Sequence, residues 1–207
     1  MSIEQIVLVD LNSDIVDAWS NEFCHYPSVR VECGSIFNVD ANTLISPANS
    51  FGNMDGGLDG KLRDFFGRDV ETIVRERIAC QFFGELPVGL ATIVETGHLQ
   101  FPYLVCAPTM RYPADVSLSV NAYLAMKAIL GVVQAHHKPL RLAVPGLCSL
   151  SGRMPAVQVA RQMRIAYERV IKNMYTYTHW REEREFEKYI RGEQREPPED
   201  LESRPWS

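Results

Sequence analysis

The chain of 207 residues carries 21 lysines and arginines against 26 aspartates and glutamates, a formal charge of −5, and 46% of its residues are hydrophobic. That length accommodates one domain with a short appendage, and the composition excludes a wholly disordered chain. The acidic balance speaks against nonspecific nucleic-acid binding, and no apolar run reaches the roughly 18 residues of a membrane helix. The opening MSIEQIVLVDLNSD lacks the basic stretch of a signal peptide, so a cytoplasmic protein is expected. Cys24, Cys33, Cys80, Cys106 and Cys148 form no CxxC pair and stand at no zinc spacing to a histidine. They read as small buried thiols of a reducing compartment, with neither a disulfide nor a metal site expected.

Apolar β-branched runs alternate with helical patterns along the chain. Ile6–Val9 is a short buried strand, and Asp10–Ser13 carries turn and N-cap chemistry before a helix whose apolar side is Ile15, Val16, Trp19 and Phe23. Val29–Cys33 alternates as a strand ended by Gly34, and Thr43–Ser46 is a strand stopped by Pro47. Leu58 to Ala79 is helical with a break near Gly67, followed by strands at Ala91–Glu95 and Tyr103–Ala107. Ser119 to His136 is a long helix with Leu124, Ala128, Ile129, Val132 and Val133 inward; a strand at Leu140–Val144 and a helix from Ala156 to Met174 follow. His136 and His137, at a helix end, suit the dipole without further chemistry. Strands alternating with helices predict a mostly parallel sheet covered on both faces, with ligands bound beyond the strands' carboxyl ends. Attention therefore falls on the loops after Ile45, Ala107 and Val144.

From residue 178 onward the composition changes to dense charge of both signs, and a short helix with Trp180, Phe186 and Ile190 on one face is expected there. Beyond Gly192 the Pro-Pro pair and acids predict no regular structure, and Trp206 offers a second aromatic anchor. The domain is thus expected over residues 1–177, with a solvated appendage over 178–207.

Two loops carry the chemistry. In the first, Ser46 to Gly60, four glycines fall within the nine positions from Gly52 to Gly60, after a buried strand and before a helix. Glycines there let the backbone pass close to a ligand and leave amide N–H groups free at a helix N-terminus, where phosphate binds well. The loop is neither a Walker loop nor a dinucleotide fingerprint. In the second, Pro145 to Pro155, Ser149, Ser151 and the amides around Gly152 supply donors, and Pro155 suits the first helical turn. Together the loops read as a clamp for a diphosphate.

The order Ile45-Ser46-Pro47-Ala48-Asn49, then Gly56-Gly57-Leu58-Asp59-Gly60, then Ser149-Leu150-Ser151-Gly152, resembles the macro domain family over roughly residues 3–175. The wording SPANSFG and APTMR suggests a divergent bacterial or phage-type branch. The resemblance implies a three-layer α/β/α fold with a mixed, mostly parallel central sheet. It implies ADP-ribose or an ADP-ribosylated substrate as ligand, and no cofactor. It also implies that Asn49 touches the distal ribose and that Asp59 positions or activates water, the two catalytic candidates. Their alternatives are that Asn49 ties its own loop together and that Asp59 stabilises a helix N-terminus; Asp55 ranks below Asp59. The implied binding residues are Ser35, Ile36, Ala48, Phe51, Gly56, Gly57, Leu58, Cys148, Ser149, Leu150, Ser151, Gly152 and Arg153. Phe51 either packs on the ligand or lies under its own loop, and Arg111 and Arg153 either reach a phosphate or are solvated. The family's first motif Asn is Ser46 here, and its adenine-binding Asp in Gly-Asp-Ile is Ser35. The Asn49–Asp59 spacing favours hydrolysis of an ADP-ribosyl linkage or of ADP-ribose phosphate; the changes at Ser35 and Ser46 favour a noncatalytic reader. A single-stranded RNA-binding module, a third reading, has the acidic charge and the lack of aromatic–basic clusters against it.

Overall fold

Residues 3–174, 179–194 and 196 are described in the computed structural model of the chain. Strands β1 (Ile3–Asp10), β2 (Val29–Cys33), β3 (Thr43–Ser46), β4 (Thr92–Glu95), β5 (Tyr103–Cys106) and β6 (Leu140–Val144) form a six-stranded sheet in the order β2-β1-β6-β3-β5-β4. Every neighbouring pair is parallel except β4–β5. The strand alternation sorts side chains to two cores. Ile6, Leu8, Ile45, Val105 and Leu142 face one side, under helices α1 (Ser13–Glu22), α4 (Asn121–Gln134) and α5 (Ala156–Ile171). Val7, Val9, Leu44, Leu104 and Ala143 face the other, under α2 (Gly57–Phe66) and α3 (Asp69–Phe82). This is the expected three-layer arrangement.

Local chemistry sets the element ends. Asn12 caps α1 by accepting from the Asp14 amide at 2.9 Å. The break between α2 and α3 falls at Gly67, whose φ of +91° most side chains avoid. Pro155 is the residue before α5, with φ −58° and ψ 141°, so it stands one place ahead of the first turn where the sequence put it.

Three expectations are corrected. The buried side of α4 is Ala122, Tyr123, Ala125, Met126, Ile129, Leu130 and Val133, while Leu124, Ala128 and Val132 are only half-buried. Cys106 and Cys148 are buried, but Cys24, Cys33 and Cys80 are exposed: one follows α1, one ends the edge strand β2, and one lies on α3 away from its buried Val70, Val74 and Ile78. His136 lies beyond α4, its ring edge-on to Tyr103 at 5.0 Å.

Helix α6 (Trp180–Ile190) packs on α5 instead of standing free. Ile190 is buried and Phe186 half-buried, whereas Trp180 is exposed. Arg169 pairs with Glu183 at 2.9 Å and stands over the Phe186 ring, while Arg164 donates to the Tyr189 hydroxyl. The Pro-Pro stretch and Trp206 lie outside the described residues.

Candidate functional site

The parallel strands bring the carboxyl ends of β1, β2, β3, β5 and β6 to one edge of the sheet, and a cavity of about 670 Å³ opens there. Its walls come from Asp10–Leu11, Gly34–Phe37, the β3–α2 loop, Thr109–Pro113 and the β6–α5 loop. The β3–β5 ladder runs on into the site: the Ala107 and Thr109 amides donate to Ser46 and Ala48 oxygens at 3.1 and 3.0 Å, and Asn49 bridges Met110 in parallel.

The amides of Gly57, Leu58 and Asp59 open α2 and donate to no protein group among the described residues. The same holds for the amides of Ser149, Leu150, Ser151 and Gly152. Two banks of unpaired N–H groups on walls of one cavity make an anion cradle, strengthened on the α2 side by the helix dipole. Gly57 has φ +59°, a conformation that admits glycine readily, and a Cβ at Gly56 or Gly57 would meet nothing within 4 Å. The second loop is built differently. Cys148 and Arg153 take left-handed backbone at φ 65° and 54°, and the Met154 amide closes the turn on the Cys148 oxygen at 3.0 Å. A Cβ at Gly152 would lie 2.6 Å from the Cys148 oxygen and 2.8 Å from Val116, so this glycine is demanded by its own loop's packing rather than by a ligand's approach.

Asp59, in the first turn of α2, is a half-buried residue of the cavity whose carboxylate is largely withdrawn from water. Burial raises its pKa from the ordinary 3.8 to about 6, against the pull of the Ser46 hydroxyl, which donates to Oδ1 at 2.6 Å. The shift thus arises from desolvation, with no charged ligand needed. Burial and the nearby Asp59 charge push the Cys106 thiol far up, and burial pushes Cys148 to about 12, so both stay protonated and neither is a ready nucleophile.

Asn49 is committed to its loop: its Oδ1 accepts from the Phe51 and Asn53 amides at 3.0 and 3.3 Å, and its Nδ2 donates to the Asn53 oxygen at 2.7 Å. Ser149 donates to the Gly146 oxygen at 2.9 Å, and Ser35 accepts from the Phe37 amide at 3.4 Å. All the candidate residues from the sequence line the cavity except Arg153, which projects into solvent 3.9 Å from Asp115. Arg111 does not line the cavity either: its guanidinium stands over the Phe51 ring at 5.4 Å and is held by Glu85 through hydrogen bonds of 2.7 and 3.0 Å.

Sequence reasoning missed Asp10, Leu11, Tyr112 and Lys61 as lining residues, and Ser46 as the partner of Asp59. Asp10 accepts from the Asn12 and Gly146 amides at 3.0 and 3.1 Å, tying the end of β1 to the second loop. The rule that ligands sit at strand carboxyl ends, extended to the first strand, would have found it.

An α/β/α fold with paired amide banks over the carboxyl edge of a mostly parallel sheet defines a class of anion-binding clefts. A model of the Macro domain family matches residues 45–163. A protein of Aquifex aeolicus (strain VF5), described as uncharacterized, is 32% identical over 135 residues, which cover 65% of this chain and 78% of that one. The macrodomain of Mycobacterium tuberculosis DarG has the same fold, with TM-score 0.56 and 21% identity over 66% of this chain and 87% of that chain. Thermosipho africanus DarTG, solved in complex with ADP-ribose, gives TM-score 0.53 and 20% identity over 67% of this chain and 37% of that chain. This chain belongs to the macro domain family.

Proposed function

We propose that the cleft binds ADP-ribose and hydrolyses an ADP-ribosyl linkage or ADP-ribose phosphate. The observation that carries this reading is the pair of unpaired amide banks with a half-buried carboxylate, Asp59, in the same cavity. The diphosphate takes the amides of Gly57 and Leu58 on one side and of Ser149 to Gly152 on the other. The base lies toward Ser35 and Ile36, and the distal ribose toward Ala48, Asn49 and Phe51. The complex of Thermosipho africanus DarTG with ADP-ribose supports the choice of ligand.

Hydrolysis of a linkage at the anomeric carbon needs one water. Asp59 takes a proton from it, the oxygen bonds to that carbon, and the bond to the departing group breaks, with the proton passing to that group. A pKa of about 6 leaves Asp59 mostly ionised at pH 7 and close to the optimum for a general base. A noncatalytic reader is the second reading, favoured by one observation: the Asn49 amide is spent on its own loop.

Calorimetry distinguishes them in stages. ADP-ribose is expected to bind with micromolar Kd, about −8 kcal/mol, and AMP far more weakly because half the diphosphate cradle stays empty. Equal affinities for the two would sink the clamp. Asp59→Asn is then expected to lower turnover by about 10²- to 10⁴-fold with little change in ADP-ribose affinity. Binding without turnover on ester-, serine- or phosphate-linked substrates hands the site to the reader.

A further inference from the structure

Helix α3 lines no part of the cavity, yet one of its side chains holds the loop that does. The stretch Asn53–Asp55, just ahead of the open Gly56 and Gly57, makes no backbone–backbone hydrogen bond among the described residues. Two side chains secure it instead. Asn49 belongs to the same loop and takes both the Asn53 amide and the Asn53 oxygen. Glu71 reaches in from the first turn of α3, and its Oε1 accepts from the Met54 amide at 3.2 Å.

Packing explains why Glu71 stands there. The break at Gly67 turns the chain, so that Val70 joins Met54 and Leu62 in the core under α2 and α3, and Glu71, next along, faces the Met54 backbone. Met54 is buried, so losing that acceptor would strand its amide. Arg63, in the last turn of α2, lies 3.5 Å from Asp55 and 3.9 Å from Glu71. At 3.9 Å the guanidinium offsets the carboxylate's charge but is no hydrogen-bond partner, so the Met54 amide is what Glu71 holds.

Glycines are costly to order, and Gly56 and Gly57 have no side chain with which to fix themselves. An anchor two residues ahead sets where the first amide bank begins. The hydrogen bond from the Gly60 amide to the Gly56 oxygen, 3.0 Å, carries that setting into α2.

We infer that Glu71 is a positioning residue of the cleft: from outside the cavity it fixes the β3–α2 loop through the Met54 amide, so that the Gly57 and Leu58 amides are aimed before the diphosphate arrives. This rests on the ADP-ribose reading and adds to it a residue that touches no ligand.

Two mild substitutions separate the hydrogen bond from the charge. Glu71→Gln keeps an acceptor of the same reach and discards the charge, whereas Glu71→Asp keeps the charge and draws the acceptor back by one methylene. In calorimetric titration of the full chain, Glu71→Asp is expected to weaken ADP-ribose binding by about five- to ten-fold, the size of one hydrogen bond, and Glu71→Gln by less than about two-fold. Backbone amide order parameters of the free protein, from NMR relaxation, supply a readout that general destabilisation does not move. Those of Asp55 to Leu58 are expected to fall in Glu71→Asp and to hold their wild-type values in Glu71→Gln, with Ser149 to Gly152 unchanged in both. A Glu71→Gln that loses as much affinity as Glu71→Asp overturns the assignment, and so does a folded Glu71→Asp with wild-type affinity and loop order. Should Glu71→Asp not fold, Glu71→Gln decides alone, and a loss of affinity or loop order there overturns it. If the wild type binds ADP-ribose and this pattern fails, only the role of Glu71 is lost; if the wild type does not bind it, the ADP-ribose reading falls and takes that role with it.

Discussion

The β3–α2 loop and the β6–α5 loop look alike as sequence: each follows a buried strand, is rich in glycine and serine, and opens a helix on the same cavity. Their glycines answer to different neighbours. Gly56 and Gly57 face open space, so the missing side chains leave room for a ligand. Gly146 and Gly152 are crowded by their own surroundings: a Cβ on Gly146 would sit 2.8 Å from the Ser149 hydroxyl and 2.9 Å from Asp10, and one on Gly152 would strike the Cys148 oxygen. The first loop keeps Gly56 and Gly57 bare for what binds there, although its Gly52 is packed against Ile78 and Val74, and the second loop's glycines serve its own turn. A glycine count cannot tell the two apart, because the difference lies in what stands beyond the absent methyl group.

Valine at the two positions separates these roles. Gly56 has extended backbone, φ −160°, which valine adopts without strain, and its branches would occupy the cavity. Gly56→Val is expected to weaken ADP-ribose binding by about 10- to 100-fold, the size of a 1–3 kcal/mol overpacking penalty expressed at the ligand. Its Tm should move by no more than about 2 °C. Gly152→Val is expected to cost about 1–3 kcal/mol of stability by forcing the Cys148 turn apart, visible as a lower Tm in the absence of any ligand. Should Gly152→Val keep the wild-type Tm and lose only affinity, the contrast between the loops disappears.

How much of this could be read in advance depends on how local each cause is. The strands at Ile6–Val9, Val29–Cys33 and Leu140–Val144 and the break at Gly67 announce themselves within a few residues, through β-branched runs and a single glycine. Helix α4 hid its inner side because it is apolar nearly all round, so Leu124 and Val132 compete in the pattern with the buried Met126 and Leu130. The two glycine loops were legible for the same reason as the strands. The hydrogen bonds that organise them were not: Ser46 meets Asp59 across 13 positions, and Asp10 meets Gly146 across 136. The second exists because β1 and β6 are neighbours in the sheet, which no local pattern encodes. Arg153 and Arg111 show the opposite failure. Positive charge near a phosphate site looks functional in a sequence, yet Glu85 already holds Arg111, and Arg153 stands in solvent 3.9 Å from Asp115.

The Ser46–Asp59 bond sharpens the first loop's side of the comparison through pH. Folding raises the Asp59 pKa from 3.8 to about 6, so between roughly pH 4 and pH 6 the native state holds a proton the unfolded chain releases. Stability therefore falls as pH rises through that window, by on the order of 3 kcal/mol in all, and Asp59→Asn is expected to flatten this part of the stability curve. Turnover should run the other way, rising with pH through about 6 as the base ionises. Ser46→Ala removes the hydroxyl that favours the carboxylate, so the activity midpoint is expected to move up by about one pH unit or less, the equivalent of one hydrogen bond. A midpoint that moves down, or not at all, would detach Ser46 from the function of Asp59.

The smallest effect is expected from salt and from Lys61. Both loops offer backbone amides, and Lys61 is the lysine or arginine among the residues that line the cavity, opposite the carboxylates of Asp10, Asp55 and Asp59. Amide donors at short range in a partly closed site are screened far less than exposed charge pairs, and screening matters chiefly beyond a Debye length of roughly 10 Å at 0.1 M. Raising NaCl from about 0.05 to 0.5 M is therefore expected to change the ADP-ribose Kd by no more than about three-fold, and Lys61→Gln to cost about the same, near the worth of one exposed ion pair. A ten-fold loss in either measurement would mean that the diphosphate is held by charge. The second loop, which brings amides but no cation to the cavity wall, would then lose its claim to the ligand, and the site would belong to α2 and Lys61 alone.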